Sequence, residues 1–204
     1  MDWNQNRGTY HAFISLGATC QTAHQLRRLK LRKFSGPLDW FISYPSSKLS
    51  RLLNTRFNGF MEVNNLRLIN IVDNHYVLRD TEYHVDSYHD FPLPYNPNQL
   101  YPKFKEQVDR RVSRFLKTIK TGPVCFVRTD TSSSEARLLE QALSGISYKD
   151  FRILIVNFHN QFGKGVIYDD WGLQRVSSVK IPPGRNWRGS DHHWDLIMKG
   201  FNSV

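Results

Sequence analysis

The sequence predicts an α/β fold: a mostly parallel central sheet with helices on both faces and a small antiparallel insert. Two observations predict it. Continuously apolar runs, "HAFISLG", "PVCFVR" and "FRILIVNFH", alternate with segments of helical periodicity, and strands buried on both faces and joined through helices pair in parallel. Between the first and second run, "LRLINIV", "HYVLRD" and "TEYHVDSY" are rich in Val, Ile and Tyr and are separated by Asp-Asn and Asp-Thr pairs, the pattern of antiparallel strands joined by turns. With 204 residues, 40% of them hydrophobic, the chain can bury a full core, and a single domain over 1–204 is expected.

The elements follow in order. The strand "HAFISLG" leads through a short turn into a helix from Cys20 to about Leu31, with Ala23 and Leu26 inward. "FSGPLDWFIS" reads as a turn and a short apolar segment. Ser46 and Ser47 cap a helix through "KLSRLLNTRFNGFM", which Gly59 can end. After the insert, "FPLPYNPNQLYP" holds four prolines in twelve residues and reads as a loop. Leu100, Phe104, Val108, Val112, Phe115, Leu116 and Ile119 then repeat at helical spacing until Gly122 and Pro123 stop the helix. "TSSSEARLLEQAL" places Ser132 and Glu135 at capping-box spacing. The tail has a hairpin-like region from Gly163 to Lys180 and a last amphipathic segment, "DHHWDLIMKGF".

Composition narrows the partners without naming one. Twenty-eight Lys and Arg against 18 Asp and Glu give a formal charge of +10, which favours acidic partners. The basic runs "LRRLKLRK" and "DRRVSRFLKTIK" read first as solvated helix faces, because no nucleic-acid module accompanies them and nucleic acid is therefore disfavoured. No window approaches the roughly 18 apolar residues of a membrane span, and the start "MDWNQNRGTY" lacks a signal pattern, so a cytoplasmic protein is expected. Two cysteines, Cys20 and Cys125, make no disulfide framework.

In a parallel sheet, ligands sit beyond the C-terminal ends of the strands, and Gly17 to Cys20, Arg128 to Asp130 and Asn157 to His159 all fall there. Cys20 stands at a helix start, where free amides and the positive dipole end favour a thiolate and can hold an oxyanion. A lone cysteine is usually only a small buried hydrophobe, so the reactive reading needs a base. His89, in "SYHDFP", is best placed, at a strand end before a loop. His24 shares a helix face with Cys20, with the ordinary reading of a polar face. A third group would hold the base's tautomer: Asp39 is preferred, with Asp90 and Asn157 as supporting candidates. Gly17, Gln21, Arg128 and Asp130 would form a substrate-binding rim. "SDHHWD" lacks zinc-site spacing, and "SLGATC" lacks the ending of a phosphate loop, so neither a metal nor a cofactor is expected.

"SLGATC", "LRRLKLRKFSGPLDW", "HDF", "DRRVSRFL", "CFVR" and "LIVN", in that order, resemble the motifs of a bacterial family of unknown function named, by prediction, as papain-like cysteine peptidases. The resemblance runs from about Phe13 to Asn157. It implies Cys20 as nucleophile and His89 as general base, with Asp39 and Asp90 at motif positions and Asn157 completing a Cys, His, Asn order. The residues before Cys20 include no glutamine, so the oxyanion role falls to backbone amides around Cys20 and Gln21. It also implies the split α+β layout of papain-like enzymes as the alternative fold. The expected function is a thiol hydrolase or acyl transferase acting on a peptide, ester or glycan-like substrate that can be anionic. Two alternatives stand beside it: a sugar- or glycan-directed transferase using Gly17, Arg128, Asp130 and His89, and a non-catalytic basic module that binds nucleic acid or an anionic polymer.

Overall fold

The computed structural model describes residues 2–44 and 47–204, so the expected cap at Ser46 lies outside the described residues. Its central sheet has the strand order β2-β7-β8-β10-β9, built from β2 (Ala12–Ser15), β7 (Val124–Thr129), β8 (Phe151–Phe158), β10 (Val176–Ile181) and β9 (Ile167–Asp169). The first four run parallel, and β9 closes the edge antiparallel to β10. Every residue of β2 and β7 is buried, because each strand buries both of its faces.

Strand alternation divides the core in two. Ala12, Ile14, Phe126 and Ile153 face Leu52 of α2 (Ser47–Asn54), Phe104 and Phe115 of α3 (Pro97–Thr118), and Leu139 of α4 (Ser133–Ile146). Phe13, Val127, Leu154 and Val179 face Leu26 of α1 (Cys20–Arg28) and Trp194 and Ile197 of α5 (Asp191–Met198). The predicted α/β architecture is the one observed, and the split papain-like layout is not.

The insert is a second sheet of order β3-β6-β5-β4, all antiparallel: β3 (Phe41–Ser43), β4 (Leu66–Val72), β5 (His75–Asp80) and β6 (Val85–Ser87). Its outer strand β3 comes from the segment read only as turn and short apolar run. That strand touches the turn after β2, where the Ser43 amide donates to Ala18 O at 3.1 Å. A two-stranded parallel ribbon, β1 (Gly8–Tyr10) with β11 (Phe201–Ser203), ties the ends of the chain together.

Several boundaries differ from expectation for local reasons. α1 stops at Arg28, where Lys30 turns left-handed (φ 57°) and the Leu31 amide closes back on Leu26 O at 3.0 Å. α2 ends at Asn54, short of Gly59. α3 starts inside the proline-rich stretch, because Asn96 caps the Asn98 amide and Pro97 occupies the first turn, where a missing amide costs nothing. The Ser132 and Glu135 box forms in full at the start of α4. The last amphipathic segment divides at Gly200 (φ 89°) into α5 and β11.

Candidate active site

The turn between β2 and α1 presents Cys20. Gly17 (φ 78°) and Ala18 (φ 71°) both take left-handed backbone, which bends the chain sharply from the sheet edge into the helix. At Gly17 glycine is required twice over, since a Cβ there would lie 2.7 Å from Ser43 Oγ. The same Oγ accepts the Ala18 amide at 3.0 Å, and Thr19 Oγ1 caps α1 by accepting the Gln21 amide at 3.3 Å. Cys20 is therefore the first residue of α1, half-buried, while Cys125 is wholly buried in β7.

Arg128, expected on the rim, lies beneath this turn and is 1% exposed. Its guanidinium donates to Leu16 O at 2.5 Å, to Ser43 Oγ and Ser43 O at 2.9 Å each, and to Thr131 Oγ1 at 3.1 Å. Burial pulls its pKa down to about 10. It is a brace, with four of its five N–H donors spent on backbone carbonyls and hydroxyls. Asn157 is spent likewise: its amide grips the backbone of Thr131 from both sides, at 2.9 and 2.8 Å. Gln21 is buried, and its side-chain amide donates to Trp187 O at 3.3 Å. Gly17 is buried within the turn, and Asp130 is exposed, with left-handed backbone (φ 48°).

Two carboxylates bear on the thiol. Asp39 is fully buried; Arg32 Nη1 and the Gly36 amide (3.0 Å) both donate to its Oδ2, while Oδ1 has no partner. Asp90 accepts the Ser87 hydroxyl at 2.5 Å. Burial first, and then the charges of Asp39 and Asp90, push the Cys20 thiol up to about 11, against its own backbone amide, which favours the thiolate. The helix start favours the thiolate as expected, but burial outweighs it. Burial also raises Asp39 to about 6, despite Arg32, the Gly36 amide and Arg111.

His89 is exposed, with its ring packed at 6.0 Å from that of His75 and 6.4 Å from that of Tyr88. Of the neighbouring pair in the "HDF" motif, it is Asp90 whose charge reaches Cys20 here. His24 packs edge-on to Trp187 at 5.3 Å. Arg111 of α3 is a residue the periodicity passed over: its basic run reads as a solvated face, yet it is half-buried and feels both Asp90 and Asp39. Among the described residues, no three His, Cys, Asp or Glu side chains gather as metal ligands, and no helix is long and apolar enough to cross a membrane.

Residues 11–161 match the model of a family described as "Putative papain-like cysteine peptidase (DUF1796)". The chain belongs to this family. The match spans the Cys20 turn, Asp39, the "HDF" segment, α3 and β8. A protein of Acanthamoeba polyphaga mimivirus, "Uncharacterized protein R408", is 26% identical over 214 residues, covering 91% of this chain and 96% of the viral one. No solved structure matches.

Proposed function

We propose that this protein is a thiol hydrolase or acyl transferase in which Cys20 attacks an amide or ester carbonyl. The observation that carries the reading is the placement of Cys20: a half-buried thiol on the first turn of α1, at the C-terminal edge of a parallel sheet, within reach of the charges of Asp39 and Asp90. The family description points the same way.

A thiol with a pKa near 11 is stored protonated at neutral pH, so its proton must leave as the carbon–sulfur bond forms. His89 is the proton acceptor in this reading. It is exposed, and among the described residues its side chain has no hydrogen bond that would hold it away from a bound substrate. Catalytic contacts are often open before substrate binds. The proton then passes from His89 to the leaving amine or alcohol, and water or a second nucleophile releases the acyl group from Cys20. Of the amides in the first turn, that of Gln21 is occupied by Thr19, and the Cys20 amide, beside the thiol, is the one this reading assigns to the oxyanion.

The test is turnover on peptide and ester libraries. Cys20→Ala should abolish it with folding intact, and His89→Ala should lower it by about a hundredfold or more. Full activity in Cys20→Ala would overturn the mechanism. Loss in Asp90→Asn with none in His89→Ala would move the base to Asp90.

A further inference from the structure

A cavity of about 170 Å³ is lined by Ser35, Gln107, Arg110, Arg111 and Arg114. The helix residues recur at three- and four-residue spacing on α3, so one face of that helix supplies the three guanidiniums. No carboxylate lines the cavity, and every lining side chain can donate a hydrogen bond. Among the described residues, the side chains of Arg110, Arg111 and Gln107 make no hydrogen bond or ion pair, and the Arg114 guanidinium stands over the Phe34 ring at 5.6 Å. Half-buried Arg111 feels the charges of Asp90 and Asp39 but donates no side-chain hydrogen bond to either, so its guanidinium keeps donors that a bound anion can take.

We propose that this cavity is an anchor for a phosphate group on the substrate of Cys20. A lone carboxylate is satisfied by one guanidinium, gripped through two oxygens. Three guanidiniums with two neutral donors instead suit a tetrahedral dianion with at least three free oxygens. The cavity is wired to the thiol by position. Ser35 precedes Gly36, whose amide holds Asp39, and Arg111, which lines the cavity, feels the charges of both Asp39 and Asp90. A phosphate held there is recognised apart from the reacting carbonyl, which the rest of the substrate carries to Cys20. The substrate class is then an acyl compound carrying a phosphate ester, with the phosphate retained through the reaction. The link to Cys20 rests on the thiol mechanism proposed above, but the anchor itself does not.

Two measurements on the full chain separate these parts. Titration calorimetry with inorganic phosphate and with pyrophosphate should show binding to wild type and, unchanged, to Cys20→Ala. Affinity should fall about tenfold in Arg111→Ala and in the exposed-site double variant Arg110→Ala/Arg114→Ala, one charged hydrogen bond being worth about that factor. The double variant keeps the test open if Arg111→Ala does not fold. Absence of binding to wild type, or equal binding to the arginine variants, overturns the anchor. Alkylation of Cys20 at pH 9 should be faster with an iodoacetamide bearing a phosphate ester tail than with iodoacetamide itself, and Arg110→Ala/Arg114→Ala should erase the advantage. If the tail gives none while calorimetry shows binding, the assignment to a Cys20 substrate is overturned.

Discussion

At Cys20 two opposed effects meet, and magnitude decides between them. Its own amide at the start of α1 favours the thiolate, but burial and two nearby carboxylates outweigh it. Native Cys20 should therefore be alkylated by iodoacetamide at a rate that keeps rising with pH toward about 11 rather than levelling below 8. Removing one of the charges, in Asp90→Asn, should move that rise to lower pH; an unchanged profile would mean that Asp90 does not act on the thiol. Asp39 gives a second titration. Its pKa is 3.8 unfolded and about 6 folded, so between these values the folded state binds the extra proton and stability falls as pH rises. Relative to Asp39→Asn, wild type should lose stability from about pH 4 to about pH 6 and keep a constant difference above that, which denaturant midpoints across the range will measure.

The elements differ in how plainly the sequence announces them. β2, β7 and β8 were legible because strands buried on both faces must be apolar throughout, and α4 because Ser132 and Glu135 satisfy each other's end of one helix turn. Ser132→Ala should accordingly cost about 1 kcal/mol in a denaturant titration, while a loss near zero would mean that Glu135 alone caps the helix. β3 was not legible, since three residues carry no period and its pairing with β6 is a tertiary fact. The start of α3 was hidden because prolines signal a break in general but are tolerated at a helix start. The site follows the same division. The strand-to-helix position of Cys20 could be read from local order, whereas the side to which Asp90 turns depends on the bend after β6. Arg111 was hidden by its own neighbours: in a run of arginines, only the packing of α3 tells which one faces inward.

Across the whole molecule, the Cys20 turn is the seam between two sheets, and Arg128 is what closes it. From the end of β7 it reaches the carbonyl after β2 and both oxygens of Ser43 in β3, so one side chain ties the parallel sheet to the antiparallel insert. The planar fork of arginine serves these acceptors together, and no other side chain has that geometry. Lysine keeps the charge but offers a single donor atom, so Arg128→Lys leaves buried carbonyls at Leu16 and Ser43 without partners. Each costs about 1 to 3 kcal/mol, and a total loss of about 3 kcal/mol in denaturant stability is expected. A second readout separates a bracing role from simple core filling. With the brace gone, the left-handed turn at Gly17 and Ala18 loses what holds it against β3, and Cys20 becomes more open to water. Because burial is the largest cause of the raised thiol pKa, alkylation of Cys20 should become faster at neutral pH in Arg128→Lys even at temperatures where the variant remains folded. A variant that loses stability with the Cys20 profile unchanged would show that Arg128 fills the core without shaping the turn.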